Sequence, residues 1–415
     1  MSSNATPSSV FPPTLEAARA RLAAVRPDAY VQTRNKLDGA VTRLSPYLTH
    51  GLLTLPDVLR AVLSRNALPV QHKLVYELGW RAYFRHVWAD RGEGILTSIH
   101  PGPLPDEAYA RELPADVREA RTGVPVIDQA VMTLYATGWL HNHARMWLAS
   151  YIVHLRKVHW RTGADWLYGH LLDGDIASNH LSWQWVAGTG SHKPYLFNAE
   201  NVQRFAPAGW HSPGTVLDTS YEALDRIARD PAAVMAAVTA AVTAASGGAA
   251  SNLGALAGSG VTEPAFLSEP PASLRAVKPT ATAVRGRDVW LVHPWSLGAL
   301  PNDLPSGALV LGVVVDDFHR AFPWAPRRWD FVSGRMAAVA PLRWQGSAQA
   351  IAGALAQARS VAAIDEPHLS PWLAGCADTR PPARLFPPVA GRCDSFTQWW
   401  TRTTEGLRHA HELTR

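Results

Sequence analysis

The feature that most constrains this chain is a change in its hydrophobic period part-way along. Over residues 14–231 apolar residues recur every three or four positions, as in residues 74–87, and this spacing predicts helices that each bury one face. Further on, residues 289–292 and 309–315 form short continuous apolar runs, which predict strands buried on both faces. We therefore expect a multi-domain protein, in which a large all-α domain is followed by a small α/β domain with a parallel, Rossmann-like sheet.

Composition divides the chain into four parts. Residues 1–13 are rich in Pro and Ser and predict a disordered tail, and residues 14–231 form the helical domain. Residues 232–285 are rich in Ala, Gly, Ser and Thr, which is typical of a flexible linker. Residues 286–415 form the α/β domain. Its other predicted elements are helices over 329–339 and 347–359, a third strand over 361–364 and a terminal helix from Ser395.

Composition and charge narrow the classes of protein that remain. Apolar residues make up 47% and charged residues 18% of the chain, which excludes a wholly disordered protein. The two cysteines, Cys376 and Cys393, cannot form a four-cysteine metal site, and the longest apolar run is far shorter than a membrane span. We therefore expect a cytoplasmic protein without a metal or a membrane partner, and the formal net charge of +5 permits a polyanionic partner.

One helical segment places an acidic, an aromatic and a basic side chain on a single face. Glu77, Trp80 and Arg81 lie at positions i, i+3 and i+4, so a carboxylate, an indole and a guanidinium are neighbours. Taken alone, the pattern also fits an ordinary ion pair beside a core tryptophan.

Three other segments carry polar residues. Residues 42–45 form a Thr-Arg-Leu-Ser turn ahead of a helix, where backbone N–H groups are suited to hold phosphate. Residues 138–146 place Asn142 one helical turn before Met146. Residues 173–185 crowd two aspartates, an asparagine and two tryptophans together, without the further oxygen ligands that a calcium loop needs.

Together these segments resemble the cryptochrome/photolyase family, and the similarity extends over nearly the whole span from Tyr30 to Asn198. The most specific motifs are Thr-Gly-x-Pro-x-x-Asp at 122–128, Thr-Gly-Trp-x-His-Asn at 137–142, and Asp-Gly-Asp-x-Ala-x-Asn followed by Trp-Gln-Trp at 173–185. The resemblance implies an all-helical domain that binds FAD in a U-shaped conformation.

The resemblance also implies which residues hold the cofactor. The expected phosphate cradle is Tyr30, Thr42, Arg43, Leu44 and Ser45, and the residues expected to line the rest of the cofactor are Glu77, Arg81, Trp139, Arg145, Asp173, Asp175 and Asn179. Asp173 is expected to pair with Arg145. Asp175 is expected to accept a hydrogen bond from the flavin or its ribose, and Asn179 is expected to lie opposite flavin N5.

A second set of residues matches the pocket in which family members hold a cyclobutane pyrimidine dimer. These residues are Glu77, Trp80, Asn142, Met146 and Trp185. The resemblance therefore implies a deoxyribodipyrimidine photo-lyase, a carbon–carbon lyase that flips the dimer out of UV-damaged DNA and splits it with an electron from photoexcited reduced FAD. The alternative is a cryptochrome-like blue-light photoreceptor that binds FAD and signals through a protein partner.

The resemblance further implies a route for electrons to the flavin. Trp183 and Trp160 match its two inner tryptophans, so the expected catalytic set is Glu77, Asn179, Trp183 and Trp160. The outer tryptophan has no counterpart, and Tyr109 is the nearest aromatic candidate.

Domain order is the largest departure from the family pattern. Family members usually begin with an α/β domain that can hold an antenna chromophore, whereas here the α/β pattern comes last. We therefore expect a circular permutation, and the identity of any second chromophore stays open. The residues expected to contact DNA are Arg156, Lys157, Arg161, Lys193, His143, His154 and His159.

Overall fold

The first half of the chain is helical, as the spacing predicts. The computed structural model describes residues 10–233 and 260–414. The helices of the first range are α1 (Leu15–Ala23), α2 (Pro27–Thr33), α3 (Ser45–Thr49), α4 (Leu55–Leu63), α5 (Lys73–Arg91), α6 (Ala115–Arg118), α7 (Pro125–Thr137), α8 (Asn142–Ser150), α9 (Trp160–His170), α10 (Ile176–Ala187), α11 (Ala199–Phe205) and α12 (Tyr221–Arg229). None of the helices in the described ranges is both long and apolar enough to cross a membrane.

Local sequence explains where the helices around the later site begin and end. Helix α7 ends at Gly138, whose φ of 68° lies in the left-handed region that glycine adopts without strain. The chain then turns, and the ring of His141 accepts the backbone N–H of His143 to cap α8. The side chain of Asp175 caps α10 by accepting the N–H of Ser178.

The second half of the chain forms a five-stranded parallel sheet with helices. Its elements are α13 (Ala281–Val284), β1 (Asp288–Val292), β2 (Leu309–Val315), α14 (Asp316–Ala321), α15 (Pro326–Val339), β3 (Leu342–Gly346), α16 (Ala348–Leu355), β4 (Ser360–Ile364), α17 (Ser370–Cys376), β5 (Asp378–Arg380) and α18 (Phe396–Thr403). The strand order is β3-β2-β1-β4-β5, and in β1 Leu291 pairs with Leu311 of β2 and Ala363 of β4. The predicted fold class is confirmed, and the circular permutation stays a prediction.

The two parts of the chain share one of two clusters of buried hydrophobic residues. A first cluster of buried residues joins α1 to α5 with the sheet and α18, and a second lies within residues 104–224. At the junction of α5 and α18, a Cβ added to Gly79 would lie 2.5 Å from the ring of Trp400. Glycine at this position therefore lets the terminal helix pack directly on α5.

Parts of the predicted tail and linker are packed rather than loose. Phe11 is 1% exposed, and its ring lies 6.3 Å from Tyr47 and 6.2 Å from Trp139, so the expectation of disorder is wrong for residues 10–13. In the linker, the Glu263 carboxylate accepts from Trp166 Nε1 at 2.8 Å.

These contacts explain why composition alone predicted loose segments. A few anchoring side chains fix segments whose other residues are mostly small or polar. The remaining parts of these two predictions, residues 1–9 and 234–259, lie outside the described residues.

Candidate active site

A cavity lined mainly by α5, α8, α9 and α10 brings together most of the residues singled out from the sequence. Its polar lining includes Arg81, Arg145, Asp173, Asp175 and Asn179. Four residues of the expected dimer pocket, Glu77, Trp80, Asn142 and Met146, line the same cavity. Leu167, Trp183 and Val186 supply apolar surface. The cavity thus combines cations, carboxylates and flat apolar walls.

Asp173 forms its expected ion pair and keeps one oxygen free. Arg145 Nη2 lies 2.7 Å from Asp173 Oδ2, and Arg145 Nε donates to the carbonyl of Leu140 at 3.0 Å. Asp173 Oδ1 is buried and has no hydrogen-bond partner among the described residues. A buried carboxylate oxygen without a donor is costly, so this atom is suited to a ligand N–H or O–H.

Asp175 is held by protein donors on both oxygens. Its side chain is 0% exposed, Oδ1 accepts the N–H of Ser178 at 2.8 Å, and Oδ2 pairs with Arg85. Burial alone would raise the pKa of Asp175, but the charges of Arg85 and Arg81 outweigh it and hold the pKa well below its usual range. The expected hydrogen bond from Asp175 to the flavin or its ribose stays a prediction.

Arg85 is a site residue that the sequence analysis missed. It lies one turn after Arg81 on α5, so the spacing that singled out Glu77, Trp80 and Arg81 could have been extended to it. Its second partner is Glu366, which follows β4 in the α/β part of the chain. Arg85 Nη1 lies 2.6 Å from Glu366 Oε1. The signal for Glu366 is its place at the carboxyl end of a parallel strand, where ligand-binding residues of such sheets lie.

Glu77 pairs with another residue that the sequence analysis missed. Arg34 Nη1 lies 2.8 Å from Glu77 Oε1, with the two side chains 30% and 39% exposed. Partial burial raises the pKa of Glu77, and the charge of Arg34 opposes the rise. Tyr30 lies beside this ion pair, and burial raises the pKa of its hydroxyl.

Trp80 offers one face to the cavity and uses the other for packing. The ring of Phe396, at the start of α18, stacks on it at 4.0 Å with an interplanar angle of 10°. Asn142 Nδ2 lies 3.3 Å from Met146 Sδ, which orients these two side chains together. Trp185 differs from the other four expected pocket residues, because it lies outside the cavity lining and is 42% exposed.

Trp185 lies in a second depression on the surface. Its ring is 5.5 Å from that of Tyr195, and His192 and Lys193 line the same depression. An exposed aromatic surface beside a basic side chain suits a nucleic-acid base and phosphate.

The expected catalytic residues of α9 and α10 have different surroundings. Asn179 Nδ2 donates to the carbonyl of Ala164 at 2.8 Å, which leaves the amide oxygen as its acceptor for a ligand. Trp183 is 2% exposed and lines the cavity. Trp160 is also buried, lies outside the cavity lining and donates from Nε1 to Ser98 at 2.9 Å.

The expected phosphate cradle is built around Trp139. Its Nε1 donates to Ser45 Oγ at 3.1 Å, and the Arg43 guanidinium lies 5.2 Å from its ring centroid. Ser45 lines the cavity, Leu44 is 1% exposed, and Thr42 Oγ1 accepts from the Leu44 N–H at 3.5 Å. The role of these residues in binding phosphate stays a prediction.

Two of the expected DNA contacts are wrong. Lys157 is 3% exposed, and its ammonium donates to the backbone carbonyls of Ile227 and Ala228. His154 is 0% exposed, with Nε2 2.9 Å from the carbonyl of Val186. Basic residues in a sequence do not reveal whether their charge faces water or a helix end, and these two face inward.

Of the other expected DNA contacts, most already interact with protein groups, and Lys193 is exposed to solvent. Arg156 binds Asp116 with two nitrogens at 2.7 and 3.0 Å, and Arg161 binds Asp165 at 2.8 Å. His159 is 6% exposed, and His143 packs its ring 5.2 Å from Phe205.

The chemistry of the cavity fits FAD. Two guanidinium groups, Arg81 and Arg145, suit its diphosphate, and the free Asp173 Oδ1 suits one of its donors. Trp183 and Leu167 offer the apolar surface that a flavin ring needs.

A comparison with known families finds a match for most of the cavity-lining part of the helical region. Residues 74–209 match the family described as the FAD binding domain of DNA photolyase. The match takes in 136 of the 415 residues of the chain. FAD is accordingly the cofactor of this region, and the matched range includes the cavity residues of α5, α8, α9 and α10, whereas Tyr30 and residues 42–45 lie outside it.

Individual relatives carry two kinds of name. A deoxyribodipyrimidine photo-lyase of Streptomyces griseus is 36% identical over 152 residues, which cover 37% of this chain and 33% of the relative. A chloroplastic/mitochondrial cryptochrome DASH of Oryza sativa subsp. japonica is 34% identical over 169 residues, which cover 39% of this chain and 29% of the relative. A solved Synechocystis cryptochrome has a TM-score of 0.40 and 27% identity, covering 46% of this chain and 43% of that one. The chain thus spans about a third of the length of these two curated relatives.

Proposed function

We propose that this protein repairs cyclobutane pyrimidine dimers in UV-damaged DNA with the energy of light. The observation that carries the proposal is that Glu77, Trp80, Asn142 and Met146 line one cavity together with the residues suited to FAD. The relatives named deoxyribodipyrimidine photo-lyase add support.

Each side chain has a task in this reaction. Bound reduced FAD supplies an electron to the dimer when it absorbs light. Arg145 and Asp173 orient the cofactor, and the Asn179 amide presents its oxygen to it. Trp80, with Phe396 covering its other face, offers a rigid flat surface to a dimer flipped out of the duplex.

Glu77 acts on the substrate. Partial burial raises the pKa of Glu77 against the opposing charge of Arg34, and in its protonated form the carboxyl group can donate a hydrogen bond. A thymine carbonyl that gains negative charge on reduction accepts that hydrogen bond more strongly, so Glu77 stabilises the reduced dimer more than the ground state.

A repair assay with a matched variant tests the proposal. The holoprotein is photoreduced under reductant, mixed with a thymine-dimer oligonucleotide and illuminated with blue light, and the recovery of thymine absorbance is measured beside a dark control. We expect light-dependent repair, and Glu77→Ala, which removes the hydrogen-bond donor, should lower the repair per absorbed photon about tenfold or more. Glu222→Ala, the same change at an exposed position on α12, should leave repair unchanged.

The second candidate is a blue-light photoreceptor. It is favoured by the relatives named cryptochrome DASH, which match at identities similar to those of the photolyases. If the reduced holoprotein binds FAD fully and repairs no dimer in light, this candidate replaces the first. Equal repair by Glu77→Ala and the unmodified protein would overturn the role of Glu77.

A further inference from the structure

The sheet has a crevice at the point where its strand order reverses. Strands β1 and β4 are neighbours, and the chain continues from them toward opposite edges of the sheet. Open α/β sheets hold ligands outside the carboxyl ends of such a pair of strands. We call this place, formed by residues 293–296 after β1 and residues 365–368 after β4, the switch-point crevice.

The protein fills this crevice with its own side chains. The rings of Trp295 and His368 stack at 4.4 Å with an interplanar angle of 11°, and they are 5% and 8% exposed. Helix α5 enters the same place, because Trp88 meets His368 edge-on at 4.9 Å. Where such a sheet would hold a ligand, stacked aromatic rings lie instead.

A chain of polar contacts leads from the crevice to the flavin cavity. Glu366 Oε1 binds Arg85 Nη1 at 2.6 Å, and the other guanidinium nitrogen of Arg85 pairs with Asp175. Because Asp175 lines the cavity and caps α10, this chain connects the end of β4 with the first turn of α10.

His368 makes a second contact with that turn and fixes its own tautomer. Its Nε2 lies 3.4 Å from the backbone N of Ile176, the first residue of α10. A backbone N–H can only donate, so Nε2 accepts and Nδ1 carries the proton. Nδ1 lies 2.5 Å from Glu366 Oε1 and donates to it. From the sheet side, His368 therefore contacts the start of α10 directly, and Glu366 is linked to it through Arg85 and Asp175.

We propose that Glu366 and His368 are positioning residues for the flavin, and that Glu366 sets the balance of charge beside it. Three cations, Arg81, Arg85 and Arg145, lie in or next to the cavity. They lie close to three carboxylates, those of Asp173, Asp175 and Glu366. The proposal rests on FAD binding and not on repair.

Removing the carboxylate charge of Glu366 makes the surroundings of the flavin more positive by one charge. Reduction adds negative charge to the flavin, so this change favours the reduced form. In Glu366→Gln the ratio of the affinities for reduced and oxidised FAD should rise by about fivefold or more, which appears as a more positive midpoint potential.

The test is a potentiometric titration of the holoprotein in the dark and without DNA, so that its outcome does not depend on whether dimers are repaired. The matched control is Asp365→Asn, the same loss of charge one residue earlier, where the carboxylate binds Ser370 Oγ at 3.1 Å. Its midpoint potential should equal that of the unmodified protein. Near-UV circular dichroism checks that each variant is folded.

A double variant keeps the proposal falsifiable if Glu366→Gln alone folds poorly. Glu366→Gln with Arg85→Gln removes one charge of each sign, so the midpoint potential should return toward that of the unmodified protein. An unshifted potential in folded Glu366→Gln, or a shift in the double variant as large as in the single one, overturns the proposal.

Discussion

The flavin cavity and the switch-point crevice are two places where folds of these kinds hold a ligand, and this protein builds them in opposite ways. In the cavity, a buried carboxylate oxygen of Asp173 has no partner among the described residues. In the crevice, Trp295 and His368 stack on each other and Glu366 is engaged by Arg85. The edge of a sheet at which ligands usually bind can therefore become structural support for a ligand site in another part of the chain.

Removing the large ring of Trp295 from the crevice should cost the most stability. Trp295→Ala should lower the free energy of unfolding by about 3–5 kcal/mol, because it removes a large buried ring and leaves a cavity. Added indole should restore part of the loss by occupying the vacated space. Denaturant unfolding with and without indole measures both effects.

The same substitution at an exposed tryptophan is the control for that experiment. Trp185 is 42% exposed, so Trp185→Ala should cost about 0.5 kcal/mol or less and show no response to indole. Equal costs for the two variants would mean that the crevice is not a packed core.

Acid should weaken the link between the two places. Burial alone would raise the pKa of Glu366, but the charge of Arg85 and hydrogen bonds from Arg85 and His368 outweigh it and hold the pKa at about 2, below its ordinary 4.5. A depressed carboxyl pKa contributes stability that is complete above pH 4.5 and is lost as the pH falls toward 2, here up to about 3 kcal/mol.

Other groups that face Glu366 affect the same pH range. The pKa of Asp175 is also depressed, and burial lowers the pKa of His368, so both add to the loss of stability in acid. Urea unfolding at several pH values should therefore show a steeper decline below pH 4.5 in the unmodified protein than in Glu366→Gln. Parallel curves would show that folding leaves the pKa of Glu366 unchanged.

A smaller effect is expected where the α/β part meets the residues predicted to form the dimer pocket. Phe396→Leu removes the ring stacked on Trp80. Because such an aromatic pair contributes about 1 kcal/mol, its loss should weaken the binding of dimer-containing DNA about fivefold. FAD content should not change. Phe386→Leu is the control, since Phe386 packs on Trp399 and Trp400 instead. Equal affinities of the two variants for dimer-containing DNA would show that Phe396 does not position Trp80 for binding.

The smallest effect concerns the surface depression beside Trp185. Lys193→Ala should weaken DNA binding equally for damaged and undamaged sequences and reduce the slope of log affinity against log salt by about 1. Lys278→Ala, at another exposed lysine, should leave the slope unchanged. A slope that Lys193→Ala does not alter would place the DNA path elsewhere.

Sequence reasoning succeeded where one pattern had one physical meaning. The apolar runs predicted β1 and β2 because central strands are buried on both faces. The edge strands were missed: Leu342–Gly346 and Asp378–Arg380 carry polar residues on faces that are not fully covered, so no apolar run marks them.

The candidate site shows the same limit. The resemblance supplied Asp173 and Arg145, which form their expected ion pair. It could not supply Glu366 or His368, since the family motifs lie in the helical region and these two residues approach from the sheet. Contacts between distant parts of a chain leave no local spacing to recognise.

The close junction between the two parts of the chain has a consequence for dividing this protein into fragments. Arg328 on α15 is 0% exposed and donates to the carbonyls of Tyr168 and Gly174 at 2.9 and 2.6 Å, next to both cavity aspartates. A fragment that ends with the helical region would lose this clamp and expose the core surface that α5 shares with α18. The chain therefore has two architectures but a single cooperative unit, and calorimetry should record one melting transition.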